Sequence, residues 1–243
     1  MTEPEIGNTA NDEGKLAVTG NTLINGILNV GLDDNGAGYA GIFTTNALTI
    51  NSDKTDAFTV GTKGEATINN GLNLEKGSAT IKGTATVEKG GVTLASGTTL
   101  NSAGPDKSKN DTTATNSTIT VNNGDVTVNS GAIFNIDGTV AVNNGSLKLS
   151  KSNADTSYGQ VNLTGDNGEA GGNLTVSNIV FYNDATTDGN YQKGSAGALN
   201  INGGKLTVTG TKAAIYTVDK TADGTVDASA NVNAGLIRRS VLI

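Results

Sequence analysis

The side chains in this sequence that could perform chemistry are almost all carboxylates, because the chain has no Cys and no His. Thiolate nucleophiles, imidazole bases and their metal sites are therefore excluded. Glycosidic bond hydrolysis needs two carboxylates about 5–9.5 Å apart. Acids on neighbouring coils of a repeat reach that distance by chance, as Glu75, Glu88, Asp125 and Asp137 would. We therefore predict no catalytic residues and no enzyme, with a polysaccharide lyase or glycosidase as the second alternative.

Three short acidic turns, at 33–36, 166–169 and 223–227, combine Asp with Asn, Gly or Thr as calcium-binding loops do. None of them has the 12-residue ligand spacing of an EF-hand loop, and the glycine-rich calcium-binding nonapeptide does not occur. We therefore predict solvated turns, no metal site and no cofactor. Whether an acidic loop binds calcium stays open.

The charge balance restricts the partners. The chain carries 16 Lys and Arg against 23 Asp and Glu, a formal net charge of −7 at pH 7. Its only Arg residues are Arg238 and Arg239. That is too few to build a phosphate-binding footprint, so we predict no nucleic acid partner. No run approaches the roughly 18 consecutive apolar residues of a membrane helix, so we do not expect the chain itself to span a membrane.

A short repeat organises the chain. Gly, Thr and Asn are the three commonest residues, at 34, 35 and 31 of 243, while hydrophobic residues make up only 35%. Units of the form apolar, polar, apolar, one or two polar residues and Gly begin at residues 66, 72, 79, 85 and 92. The pattern returns from 119 to 149, and more sparsely elsewhere between 16 and 210.

Each unit has the alternation of a three-residue strand, with two side chains on one face and one on the other. The Gly at its end supplies a corner with positive φ. Strands this short do not form independent hairpins, but they can stack as the sides of successive coils. In this arrangement Ile81 faces inward, whereas Thr80 faces outward and is expected to tolerate substitution by Asp.

The unit spacing alternates between 6 and 7 residues, so three units make a coil of about 19–20 residues. A two-unit coil would stack Glu75 on Glu88 and Lys76 on Lys89 at about 4.8 Å, which is destabilising. A left-handed hexapeptide helix needs six residues in every unit. We therefore predict an all-β fold: a single right-handed parallel β-helix (β-solenoid) with three short strands per coil and roughly 10–12 coils.

The presence or absence of the repeat pattern also divides the chain into segments. We predict a polar N-terminal segment at 1–15, the β-solenoid at 16–210, and a C-terminal cap or continuation at 211–243. Within the solenoid, insertions are expected near 31–46, 101–117, 150–160 and 177–198. Insertions in repeat proteins form loops, and loops commonly carry binding residues.

Most of the aromatic residues fall in or beside these insertions. They either cover the edges of the coils or contact a partner, because aromatic side chains are enriched at interfaces. The candidate partner contacts are Tyr39, Phe43, Tyr158, Phe181, Tyr182 and Tyr191.

With its apolar-Thr-apolar-Asn-Asn-Gly units and its lack of Cys, the region from 16 to 210 resembles the passenger domains of bacterial autotransporters and filamentous-haemagglutinin-like surface adhesins. The resemblance implies that this sequence is a fragment or processed piece of a secreted rod on the outer cell surface. It also implies a translocator barrel outside this chain. It also implies roles in adhesion, aggregation, biofilm formation and virulence.

The function that we expect is therefore that of a non-catalytic extracellular adhesin or self-associating passenger fragment. Its partners would be host or bacterial surface glycans or proteins, or other copies of itself. The first alternative is a self-assembling filament subunit. The sequence alone names neither the receptor nor the oligomeric state.

Overall fold

The structure is a computed structural model of the chain, and it describes residues 5–6, 13–31, 39–104, 116–152, 158–164, 172–184, 197–210, 215–220, 226–227 and 236–239. Every regular element in these residues is a β-strand. The prediction of an all-β fold is confirmed.

The strands follow one another in eight described coils, after an initial short strand β1 at Glu5–Ile6. The first four coils are β2 Gly14–Ala17, β3 Thr22–Ile24 and β4 Leu28–Val30; β5 Gly41–Thr45, β6 Leu48–Asn51 and β7 Phe58–Val60; β8 Gly64–Ile68, β9 Leu72–Lys76 and β10 Ser78–Ile81; β11 Thr84–Val87, β12 Val92–Leu94 and β13 Thr99–Ser102.

The next four coils are β14 Thr118–Val121, β15 Val126–Val128 and β16 Ile133–Ile136; β17 Thr139–Ser152 and β18 Gln160–Thr164; β19 Asn173–Asp184 and β20 Ala198–Asn202; β21 Lys205–Val208, β22 Ile215–Lys220, β23 Val226–Asp227 and β24 Leu236–Arg239. In the sixth and seventh coils one long strand supplies both the first and the second position.

Each strand pairs with the equivalent strand of the coils before and after it. The third strands of the coils, with β1, form a nine-stranded parallel sheet, and the first and second strands form the other sheet. The one antiparallel pair in the described chain is β22 with β23. In the most regular region Ala66 pairs with Ala85, and Leu72 pairs with Val92. The predicted parallel β-solenoid with three strands per coil is confirmed.

The described coils number eight rather than the expected 10–12, because several coils are much longer than those of the regular region. Ala85 pairs with Ile119, and Gln160 pairs with Ala198, so a long stretch of chain separates each pair. The connections between strands vary in length, while the paired strands keep their register apart from irregularities after Ile50 and Val142. The coil period is therefore set by strand pairing rather than by a fixed repeat length.

The core lies between the sheets and consists of the inward positions of the strands from β4 to β20, with Ile24 of β3. Most of these side chains are large aliphatic residues, and burial of each contributes about 1.5–3 kcal/mol. The rings of Phe43 and Phe58 meet edge to face with centroids 6.1 Å apart. Thr45 is also buried, and its hydroxyl lies 2.8 Å from that of Thr22, so this polar group has a partner inside the stack.

The interruptions of the solenoid are shorter than predicted. Residues 41–45 of the expected insertion at 31–46 form β5, and residues 177–184 of that at 177–198 belong to β19. The insertion at 101–117 begins only after β13, and that at 150–160 only after β17. The repeat pattern misses β5 because no Gly follows it within two residues, although its inward and outward residues alternate. It misses the second half of β19 because three consecutive residues there, Ile179–Phe181, are buried and the alternation is lost.

Both terminal segments also take part in strand pairing. In the N-terminal segment predicted as polar, β1 pairs with β4, and β2 begins at Gly14. In the C-terminal segment, β22 pairs in parallel with β19, and β24 with β20. The stacks thus continue through part of 211–243.

Candidate functional site

The third strands present a continuous outward column of small polar side chains. One residue at the centre of each strand lies between two inward neighbours and is itself half-buried. Strand register aligns these residues from coil to coil. In chain order they are Asn29, Thr59, Thr80, Asn101, Asn135, Asn162 and Asn200.

Four of these residues form an asparagine ladder, defined as Asn101, Asn135, Asn162 and Asn200. Each side-chain amide donates from Nδ2 to the Oδ1 of the preceding rung, at 2.8 Å for Asn200 to Asn162 and 2.9 Å for the next two bonds. Asn101 donates in turn to the hydroxyl of Thr80 at 3.2 Å. All these bonds therefore point the same way along the stack.

The ladder ends on a carboxylate. The Thr80 hydroxyl donates to Oδ1 of Asp56 at 2.6 Å. Asp56 lies in the turn before β7 with φ of 51°, a conformation that Asp tolerates better than most residues, and its backbone N–H donates to the Ser78 hydroxyl at 2.7 Å. The turn thus positions a negative charge at the end of the chain of donors.

This arrangement corrects one expectation. Thr80 faces outward as predicted, but it is not a neutral position, because its hydroxyl connects Asn101 to Asp56. A carboxylate at residue 80 would lie against the carboxylate of Asp56, and like charges at that separation are destabilising.

A shorter ladder with the same direction occupies a corner of the solenoid. Asn143 donates to Asn122 at 3.2 Å, and Asn122 donates to Oε2 of Glu88 at 2.8 Å. Aligned amide dipoles polarise one another, and a carboxylate at the positive end of the chain stabilises them. Both ladders therefore gain from the acid on which they terminate.

The first strands carry a second outward column, which is dominated by threonine. These side chains are in register from coil to coil and half-buried, except for the exposed Ala17 at one end. The column consists of Ala17, Thr44, Thr67, Thr86, Thr120, Ala141, Thr175 and Thr207. Its hydroxyls lie at the strand spacing of about 4.8 Å.

Some of the charges on the described surface form ion pairs. Lys148 forms an ion pair with Asp125, whose other oxygen accepts the backbone N–H of Ser146 at 2.8 Å. Lys15 lies 2.8 Å from Glu13, and this hydrogen bond and charge raise the pKa of Lys15 above its usual value. No group of three or more acidic residues in the described chain is placed to hold a metal ion.

The aromatic candidates have several different locations. Phe43 and Phe181 are fully buried in the core, so these two side chains have no surface with which to contact a partner. Their predicted role is therefore corrected to core packing. Tyr39 and Tyr158 are half-buried beside β5 and β18, and both remain candidates.

The other candidates can be placed only in part. Tyr182 lies in β19. Tyr191 and the acidic turns at 33–36 and 166–169 fall outside the described residues, as does 223–225 of the third turn, whose last two residues form β23.

Sequence reasoning misses the asparagine ladder on the third strands. The signal is the middle residue of three apolar-Asn-apolar triplets, Phe134–Ile136, Val161–Leu163 and Leu199–Ile201. Their spacing is irregular because insertions of different length separate them, so no period reveals that they share a column.

The chain matches no protein-family model, no curated protein and no solved structure. The resemblance to autotransporter passengers and filamentous-haemagglutinin-like adhesins stays a prediction from the sequence. In the described part of the chain no helix has the length and apolar character that a membrane span requires.

The ladder makes a measurable contribution to stability. Asn135 makes two of its bonds, so Asn135→Ala is expected to lower the free energy of unfolding by about 1–2 kcal/mol. The matched control is Asn73→Ala in β9, an exposed outward position, which should stay within about 0.5 kcal/mol of the unaltered chain. Urea unfolding measures both, and equal losses would show that the ladder bonds add nothing.

Proposed function

We propose that this chain is a non-catalytic extracellular rod of the bacterial outer cell surface, an adhesin or self-associating passenger fragment. The observation that carries the proposal is the pair of outward columns, one of Asn and Thr on the third strands and one of mainly Thr on the first strands. Both display hydrogen-bonding groups on a scaffold in which every coil is paired to its neighbours.

The proposed mechanism is multivalent. A hydrogen bond from a half-exposed Thr or Asn contributes only about 0.5–1.5 kcal/mol, so one rung binds nothing by itself. Seven coils carry an Asn or Thr in the third-strand column and six carry a Thr in the first-strand column, all in fixed relative positions. Many copies on one surface repeat the rod. Linked weak contacts raise the apparent affinity by about 10²–10⁴-fold without any strong single site.

Display density tests this mechanism. Beads that carry the full chain at high density are expected to clump or to adhere to cells, whereas sparsely coated beads and the free chain should bind at least about 100-fold more weakly. Beads coated with an unrelated acidic protein are the control. Clumping of the beads would indicate self-association, and retention of the beads on cells would indicate a surface receptor. Beads that neither clump nor adhere at any density would contradict the adhesive function.

A filament subunit is the second candidate function, and one observation favours it. At the two described ends of the third-strand sheet, Glu5 of β1 pairs in register with Asn29, and Arg238 of β24 pairs in register with Asn200. End-to-end stacking would bring residues of opposite charge to neighbouring strands, which is favourable. Electron microscopy of the purified chain, with and without 236–243, distinguishes the candidates. Unbranched fibres that vanish on truncation would support the filament, and isolated short rods would argue against it.

A further inference from the structure

The outward side chains of the four strands that carry the asparagine ladder are uncharged. Charged residues lie at its two ends, where Arg238 of β24 is in register with Asn200 and Asp56 accepts from Thr80. Besides the ladder amides, the strands β13, β16, β18 and β20 present outward side chains that are all uncharged, namely Thr99, Ile133, Gln160, Thr164 and Asn202. An acid borders these strands at the exposed Asp137, directly after β16. We call the surface formed by the ladder and these five residues the amide face.

Each rung of the ladder keeps unused hydrogen-bonding capacity. A side-chain amide has two N–H donors and a carbonyl oxygen with two lone pairs. Within the ladder an inner rung such as Asn135 or Asn162 uses one N–H and one lone pair. Each inner rung therefore keeps one donor and one acceptor beyond the ladder bonds, on a side chain that is half-buried. A hydroxyl group both donates and accepts a hydrogen bond, so it can pair with the remaining donor and the remaining acceptor of a rung. A carboxylate or an ammonium group can pair with only one of the two.

The distance between rungs and the net charge of the chain further restrict the class of ligand that this surface can bind. The rungs follow the stack at the strand spacing of about 4.8 Å, which is similar to the rise per sugar of an extended β-linked polysaccharide. The net charge of −7 repels acidic polymers. Ile133 is half-buried beside the ladder, and the apolar C–H face of a sugar ring can pack against its side chain.

We propose that the amide face binds a neutral β-linked polysaccharide that lies along the stack, with successive sugar hydroxyls on successive ladder amides. This inference rests on the proposed adhesive function and gives that function a ligand class. The other possible occupant, the amide face of a second copy, offers the same donors and acceptors, and the experiment separates the two.

The test uses the full chain and a double variant, Asn135→Thr with Asn162→Thr. Thr already occupies this column at Thr59 and Thr80, so the variant should keep its strands, which circular dichroism checks. The matched control is Asn73→Thr on the second strands, where Thr49 and Thr93 are the neighbours in register. The probes are a soluble β-1,4-glucan and a β-1,4-mannan, with polygalacturonate and alginate as acidic counterparts.

Retention on the neutral polymers is expected for the unaltered chain and for Asn73→Thr, with a loss of at least tenfold in the double variant and no binding to the acidic polymers. Equal retention of both variants would overturn the inference, and so would binding to acidic polymers alone. If the chain is retained on none of the polymers while coated beads still clump, the amide face is not a polysaccharide site, although the adhesive function stands. If the beads also fail to clump or adhere, both proposals are wrong.

Discussion

Replacement of Leu94 by Asp is expected to unfold the central coils. Leu94 is fully buried and pairs with Leu74 on one side and Val128 on the other, so a carboxylate there would lie in an aliphatic stack without a partner. An uncompensated buried charge costs about 3–5 kcal/mol, a large part of the stability of a typical domain. Thermal unfolding followed by circular dichroism should show a melting temperature lowered by many degrees, or no folded baseline at all.

The neighbouring residue provides the control. Thr93 is the outward residue of the same strand, and its register partners Asn73 and Thr127 are uncharged, so Thr93→Asp should cost less than about 0.5 kcal/mol. Because each coil contacts only its neighbours, hydrogen exchange in Leu94→Asp should increase first in the coils of β9, β12 and β15. Similar melting shifts for the two variants would mean that the assignment of inward and outward faces is wrong.

Gly83→Ala is also expected to destabilise the fold, although it adds only a single methyl group. A Cβ at this position would overlap the carbonyl oxygens of Gly61 and Gly64 in the coil beside it. These are backbone atoms, so the strand itself must move, and it would strain the bonds from the Gly83 N–H to Val60 and from the Thr118 N–H to Gly83. Overpacking of this kind costs about 1–3 kcal/mol, and urea unfolding should show that loss.

Gly26→Ala is the matched control. A Cβ at Gly26 would meet no atom within 4 Å, and this residue has no positive φ. Its replacement should be neutral or should stabilise the fold by about 0.4–1 kcal/mol, because Ala restricts the unfolded chain. If both variants unfold at the same urea concentration, close approach between coils is not the reason for Gly at position 83.

The glycines show where sequence reasoning is incomplete. The repeat pattern predicts a corner with positive φ at the Gly that ends each unit. This holds for Gly71, Gly77 and Gly97, with φ between 78° and 94°. Gly83 and Gly138 have no positive φ and are required because a Cβ would strike the preceding coil. Positive φ and close approach between coils both require Gly, so the sequence alone does not distinguish them. The position of the neighbouring coil does.

The aromatic residues illustrate a related limit. The sequence pattern places Phe43 in an insertion because its unit has no Gly corner, yet this residue lies in β5 against Phe58 in the core. A single apolar residue beside an irregular turn has the same local sequence whether it packs inward or contacts a partner. The stacking of one coil on the next, which the local sequence does not contain, decides between the two.

The sequence by itself determined the class of fold, because the apolar-polar-apolar alternation assigns each residue of a unit to the inside or the outside, and the short, alternating unit spacing closes a coil in three units. It also excluded Cys and His chemistry outright. The tertiary structure decided which outward residues meet. Asn101, Asn135 and Asn162 are far apart in the chain but lie in adjacent strands of one column. Insertions change the distance along the chain without changing the register, because backbone pairing aligns strands by their hydrogen bonds and their buried neighbours rather than by the length of the connection between them.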